Sequence, residues 1–376
     1  MLLICIYLPK FNGVFGLSPT NKSLKSTPNC IATMTETHRK TILITGASGF
    51  LATHVVKAFL RQGYYVRGTV RSDQAAANVR KGFSQYSGRL SFAIVEDIAQ
   101  PGAFNEAVKG VDGIVHTASP FQTSVQDNKR DLLWPAINGT TSILRAAQEY
   151  APQINRVVIT SSMAAVIDAG KGPQSDYTYT EEDWNPMTFE QAERANGLVA
   201  YAASKAIAEQ AAWRYMETNM PHFSLTTICP PMIYGPVEHH VPTMAKLNTS
   251  ADDIYRLFNG SSTEIPSTIL PVFADVRDVA QAHLSAFESQ KAAGERFIVS
   301  SGGYTYQEVC DILRSVFPEV RDKVPIGQPG QYEPAVIKVS SNKIKTLLGI
   351  TFHTLQETVK DTADSLLALE EACKAY

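Results

Sequence analysis

Thr41-Ile42-Leu43-Ile44-Thr45-Gly46-Ala47-Ser48-Gly49-Phe50-Leu51-Ala52 is the stretch from which the fold can be read. Its first five residues are aliphatic or β-branched and predict a short strand. Two glycines then turn the chain, and an amphipathic run follows through Leu60. Outward from it the same alternation repeats. Strands are expected at Tyr65–Val70, Ser91–Val95, Gly113–His116, Arg156–Thr160 and Ser224–Ile228, with helical patterns at Ala103–Lys109, Lys129–Tyr150 and Tyr201–Asn219. Short apolar strands alternating with helices predict an α/β fold with a doubly wound parallel sheet, covered on both faces.

The rhythm changes after Pro230. Pro231, Pro236 and Pro242 break a loop-rich stretch, and helices are expected over Ala251–Asn259, from Asp275, from Tyr306 and over His353–Ala375. The expected organisation is a dinucleotide-binding domain at 41–230, to which 272–300 returns. A smaller C-terminal substrate lobe is expected from 231–271 and 301–376. Residues 1–40 read as a disordered leader or dispensable extension. Their opening MLLICIYLP is apolar for nine residues without a positive flank, far short of the roughly 20 needed to span a bilayer. A weak signal or transit peptide is the alternative.

Composition narrows the function. The 376 residues carry 34 Lys+Arg against 36 Asp+Glu, a net charge of -2. This lacks the basic excess of a nucleic-acid binder and the composition of a disordered chain. The five cysteines, Cys5, Cys30, Cys229, Cys310 and Cys373, are odd in number and include no CxxC pair. They predict a reducing, cytoplasmic setting with neither a disulfide framework nor a zinc site. His239-His240 is adjacent rather than at helical spacing and predicts no metal. Oligomeric state leaves no signal in the sequence.

The glycine turn brings in chemistry. Gly46 suits a tight turn with φ > 0. Gly49 lets backbone N–H groups of Ser48, Phe50 and Leu51 approach a pyrophosphate at the positive end of a helix, and Ala52 keeps that helix close to the sheet. The spacing is GxxGxxA, a variant of GxGxxG. The second strand should then choose the cofactor. Its tip, Val70-Arg71-Ser72, holds no acid for a ribose 2′-hydroxyl, whereas Arg71 can fork onto a 2′-phosphate. NADP(H) is therefore expected.

Tyr201 and Lys205 form the second constellation. Four residues apart, they share a helix face. Tyr201 is the only tyrosine with a lysine at that spacing, and its helix follows a strand ending in Thr160-Ser161-Ser162. Those hydroxyls fall at the carboxyl edge of the sheet, where ligands of open α/β sheets bind. Reduction of a carbonyl needs a proton at oxygen. An adjacent ammonium is expected to lower the pKa of the Tyr201 phenol, while Ser162 steadies the developing alkoxide.

TGASGFLA, HTASP (His116–Pro120), TSSMAAV (Thr160–Val166), YAASK and PPMIYGP (Pro230–Pro236) together resemble the extended short-chain dehydrogenase/reductases. The resemblance is nearest to fungal NADPH-dependent aldehyde/ketone reductases of the methylglyoxal reductase type and plant dihydroflavonol reductases. It covers residues 41 to about 372 and implies a Rossmann-type sheet with Ser162, Tyr201 and Lys205 as catalytic residues. It also implies Asp97 and Ile98 beside the adenine, Thr117, Ala118 and Ser119 along the ribose and nicotinamide, and Pro230 at the nicotinamide. The related fungal reductases often carry a lysine soon after the arginine matching Arg71; here Gln74-Ala75-Ala76 offers none. The implied activity is NADPH-dependent reduction of an aldehyde or ketone, with a ketoreductase of fungal secondary metabolism as one setting. Phe121, Met163, Met232 and Tyr234 are expected to line an apolar pocket for a small carbonyl substrate. Two alternatives share the fold: an NAD(P)-dependent epimerase or dehydratase, and a non-enzymatic NADP-sensing regulator. Dehydratases need a carboxylate beside the serine, where this chain has Met163-Ala164-Ala165, and the regulators usually lack the YxxxK pair.

Overall fold

The computed structural model describes residues 39–119, 125–172, 176–332 and 337–374. From its amino end, β1 (Thr41–Thr45) leads through the glycine turn into α1 (Phe50–Arg61), followed by β2 (Tyr65–Val70), α2 (Asp73–Gly82), β3 (Leu90–Ile94) and β4 (Gly113–His116). Next come α3 (Trp134–Tyr150), β5 (Arg156–Thr160), β6 (Thr178–Tyr179), α4 (Phe189–Glu193), α5 (Gly197–Asn219) and β7 (Ser224–Cys229). The chain continues with β8 (Met232–Tyr234), α6 (Thr249–Phe258), β9 (Val272–Asp275), α7 (Val276–Glu288), β10 (Arg296–Ile298) and β11 (Gly302–Gly303). It closes with α8 (Tyr306–Val316), β12 (Lys338–Val339), α9 (Asn342–Leu348) and α10 (Leu355–Lys374).

Seven strands make one sheet in the order β10-β7-β5-β4-β1-β2-β3, paired in parallel throughout. Strand order turns back between β1 and β4, which opens a crevice at their carboxyl ends. Near-continuous apolar strands follow from cover on both faces. Ile42 and Ile44 of β1 pack with Val55, Val56 and Phe59 of α1 and Val279 of α7. Leu43 points the other way, toward Ile143 and Leu144 of α3 and Ala212 of α5. A Cβ on Gly68 would lie 2.7 Å from the Ala47 methyl, so β2 requires glycine where the turn after β1 crosses it.

A second sheet, β11-β9-β8, packs through Phe273 against Ile254 and Phe258 of α6, Val309 and Leu313 of α8, and Val359 and Leu366 of α10. Arg39–Tyr376 forms one compact unit. Among the described residues no helix is long and apolar enough to cross a membrane.

Some expectations are corrected. Ala103–Lys109 is a series of turns, not a helix. Gly102 and Gly110, both at positive φ, break helical backbone at either end of the segment, and Phe104, Ala107 and Val108 hold it down by burial. The segment 272–300 returns to the main sheet only in part. β10 joins the edge beside β7 and α7 packs on the sheet face, but β9 pairs with β8 and β11. Helix α5 starts four residues before Tyr201, because the Asn196 side chain caps it by accepting from the Val199 N–H at 3.0 Å. The expected leader lies, apart from Arg39 and Lys40, outside the described residues.

Candidate active site

Gly46 sits at φ +70°, and a Cβ there would come within 3.2 Å of Ala118. Its N–H donates to Thr69 Oγ1 (3.0 Å), and the Ala47 N–H donates to Thr69 O (2.9 Å). Gly49 is the N-cap of α1, extended at φ -82° and ψ 163°, with no side chain capping the helix. The first N–H groups of an α-helix lack intrahelical acceptors, so α1 presents donors and its positive end beside exposed Ser48. The half-buried Phe50 ring meets His54 and His239 edge-on, at 5.9 and 5.7 Å between centroids. Leu51 is half-buried and packs against the main core. An anionic, backbone-bound group fits this cradle.

The end of β4 is tied to the cradle through Thr45. Thr45 Oγ1 accepts the N–H groups of Thr117 (3.1 Å) and Ala118 (3.0 Å), so its own proton goes to His116 Nδ1, 2.9 Å away. Thr117 Oγ1 donates to Thr45 O at 2.5 Å. His116 is thereby held neutral with its proton on Nε2; burial, helped by the Lys205 charge, lowers its pKa to about 3. Sequence reasoning selected neither Thr45 nor His116 as a site residue, because their partnership spans 71 residues.

Ser119 continues this segment and accepts a short hydrogen bond from Lys205 Nζ. Lys205 Nζ also lies 5.3 Å from the centre of the Tyr201 ring. One path of contacts thus runs from the glycine turn through Ala118 and Ser119 to Lys205 and Tyr201. Ser162, at the end of β5, caps the 3-10 turn Met163–Ala165: its Oγ accepts the Ala164 N–H at 3.1 Å. That bond leaves the hydroxyl proton to donate elsewhere. The expected lowering of the tyrosine pKa is absent. Burial pushes the Tyr201 phenol up to about 12 and brings the Lys205 ammonium down to about 8. With the ammonium turned to Ser119, the cost of burying a phenolate decides the direction.

Other expected residues fall as follows. Arg71 is exposed at the tip of β2, with Ser72 beside it accepting from the Ala75 N–H at 3.3 Å as the cap of α2. Asp97 accepts from the Ala99 N–H at 2.9 Å. Ile98 packs over Gly139 of α3, where a Cβ would meet its Cδ1 at 3.1 Å. Pro230 is buried, and its carbonyl accepts the Met163 N–H at 2.9 Å, which places it beside the Ser162 turn. Of the expected pocket wall, the three described residues lie in two different cores. Met163 is fully buried among Val166, Tyr179, Cys229 and Ile298. Tyr234 is buried in the core of the second sheet, bonded to the Tyr304 hydroxyl at 2.8 Å. Met232 is half-buried against that same core, and Phe121 lies outside the described residues.

Asp275, Asp278 and His353 form a cluster of metal-ligand type. Its carboxylates are already engaged, Asp275 by Arg277 and Thr358 and Asp278 by His353. Cys229, Cys310 and Cys373 are free thiols.

Comparison with known proteins extends these observations. The model of the NAD dependent epimerase/dehydratase family matches residues 42–300. An uncharacterized oxidoreductase of Schizosaccharomyces pombe is 40% identical over 337 residues, covering 89% of this chain and 99% of its own. The NADPH-dependent methylglyoxal reductase GRE2 of Saccharomyces cerevisiae is 37% identical over 339 residues, covering 88% and 98%. Among solved structures, yeast methylglyoxal/isovaleraldehyde reductase Gre2 complexed with NADPH matches with a TM-score of 0.80 and 36% identity, covering 88% of this chain and 99% of that one.

Proposed function

The chain belongs to the NAD dependent epimerase/dehydratase family, and from that premise we propose that it is an NADPH-dependent reductase that converts an aldehyde or ketone to an alcohol. The observation that carries this reading is the contact of Lys205 Nζ with Ser119, which sets the Tyr201/Lys205 face of α5 against the segment touching the glycine turn. The likeness over nearly full length to a yeast NADPH-dependent methylglyoxal reductase supports it.

The residues fit NADPH. The cradle at Gly46 and Gly49 takes its pyrophosphate, Arg71 its 2′-phosphate, Asp97 and Ile98 border its adenine, and Thr117, Ala118, Ser119 and Pro230 border its nicotinamide side. Bound there, NADPH supplies the hydride for the carbonyl carbon. Tyr201 gives its phenolic proton to the carbonyl oxygen. A phenol held well above neutral pH by burial is fully protonated in the resting site, which suits the reducing direction. Ser162 donates a hydrogen bond to the same oxygen, its hydroxyl oriented by the Ala164 N–H. Lys205, charged below pH about 8, holds the ribose in exchange for Ser119. The segments 231–271 and 301–376 are assigned to the substrate side, and a cytoplasmic setting is the reading that the unpaired Cys229, Cys310 and Cys373 support.

Epimerase or dehydratase chemistry is disfavoured by the surroundings of Ser162. Met163 and Ala165 are buried and apolar, and the carboxylate behind Ser161, Glu209, is bound by Arg296. The test is oxidation of NADPH and NADH by the full chain against aldehydes, α-dicarbonyls and aryl ketones. Turnover with NADPH and a simple carbonyl is expected. Tight NADPH binding without turnover on any member would replace this reading with a sensor.

A further inference from the structure

Beneath the candidate site lies an ion pair that the chemistry above does not use. Glu209 and Arg296 are 2% and 6% exposed, and Arg296 Nε donates to Glu209 Oε1 at 2.8 Å. Every N–H of the guanidinium is directed. Nη2 donates to Glu209 Oε2 (3.1 Å) and to Ala165 O (3.2 Å), and Nη1 to the carbonyls of Glu181 (3.0 Å) and Asp183 (2.5 Å). Its plane stacks on Trp184, 3.7 Å from the ring centre. Glu209 in turn accepts from Ser161 Oγ at 2.6 Å and Thr227 Oγ1 at 2.7 Å.

These partners are the supports of the site. Ser161 precedes Ser162, and Ala165 closes the turn that Ser162 caps. Glu209 lies one helical turn beyond Lys205, and Thr227 lies on β7, which leads to Pro230. A buried pair of this kind adds little stability over apolar side chains of equal size, so its place at this junction, with bonds to Ser161, Ala165 and Thr227, points to geometry. We propose that Glu209 and Arg296 are positioning residues that hold the Met163–Ala165 turn, and with it the Ser162 hydroxyl, in register with the Tyr201/Lys205 face of α5. The inference rests on the reading of Ser162 as a donor to the substrate oxygen.

The test compares wild type, Glu209→Gln, Arg296→Lys and the double variant Glu209→Met/Arg296→Met, each as the full chain. Three quantities are read: thermal midpoint, amide hydrogen exchange of peptides covering 161–166, and kcat and KM with NADPH and a carbonyl substrate. The double variant leaves no charge unpaired and keeps the fold measurable. Exchange at 163–166 is expected to rise about tenfold or more in it, while β5 and β7 stay protected. Its kcat is expected to fall roughly ten- to a hundredfold, the scale of a small misplacement, with KM for NADPH within about twofold. Arg296→Lys keeps the charge but not the fork and is expected to fall between. A double variant with wild-type exchange at the turn and wild-type kcat overturns the proposal. If the wild type itself reduces no carbonyl, the proposed activity fails, and the exchange measurement still decides whether the pair positions the turn.

Discussion

Lys205 lies one helical turn beyond Tyr201, yet its ammonium is directed to Ser119 while standing 5.3 Å from the centre of the Tyr201 ring. The Lys205 charge is thus tied to the end of β4, and the phenol and the ammonium are each shifted by burial. That separation gives the two residues distinguishable signatures.

Tyr201→Phe removes the proton and keeps the ring. Turnover is expected to fall about 10²- to 10⁴-fold, with the dissociation constant for NADPH within about twofold. Steady-state rates and a fluorescence titration of NADPH check this, and unchanged turnover would remove Tyr201 from its role.

The Lys205 ammonium sets an alkaline limb. Its folded pKa of about 8 lies below the ordinary value of about 10.4. The affinity of the free enzyme for NADPH is expected to weaken as pH rises through 8, where His116 (about 3) and Tyr201 (about 12) do not titrate. Stability runs the other way. Between those two values the unfolded chain binds a proton that the folded chain has released, so the contribution of Lys205 to stability rises with pH. Titrations of affinity and denaturant midpoint against pH, with Lys205→Met as the control lacking both slopes, test the assignment.

Arg71 selects the phosphorylated cofactor if it binds the 2′-phosphate. A hydrogen-bonded charge contact contributes about 1.5–3 kcal/mol. Arg71→Ala is therefore expected to raise KM for NADPH roughly ten- to a hundredfold and leave KM for NADH nearly unchanged. Equal effects on the two cofactors would make the residue a bystander.

Gly46→Ala meets both a left-handed backbone and a neighbour at 3.2 Å. A left-handed residue bearing a side chain costs about 1–2 kcal/mol, so the denaturant midpoint is expected to fall, and NADPH binding to weaken with it. A variant as stable and as tightly bound as wild type would show that the turn relaxes without consequence.

Local signals in the sequence determined the alternation of strands and helices, the glycine turn, and the helix face shared by Tyr201 and Lys205. Side-chain periodicity and i, i+4 spacing need no knowledge of the rest of the chain. Tertiary structure alone decided four further points. Thr45 and His116, and Glu209 and Arg296, meet across 71 and 87 residues, a separation on which no local pattern reports. Met163 and Tyr234 carry the apolar surface expected of a pocket but lie in packed cores, because an apolar side chain reads alike in either place. The phenol of Tyr201 rises where a neighbouring ammonium suggested a fall, since burial depends on everything packed around the ring. Ala103–Lys109 has a helical pattern, but it is pinned as turns by flanking glycines and by burial of Phe104 and Val108. Hydrophobic pattern and spacing act over one or two turns of chain, whereas desolvation and long-range pairing exist only once the chain has folded.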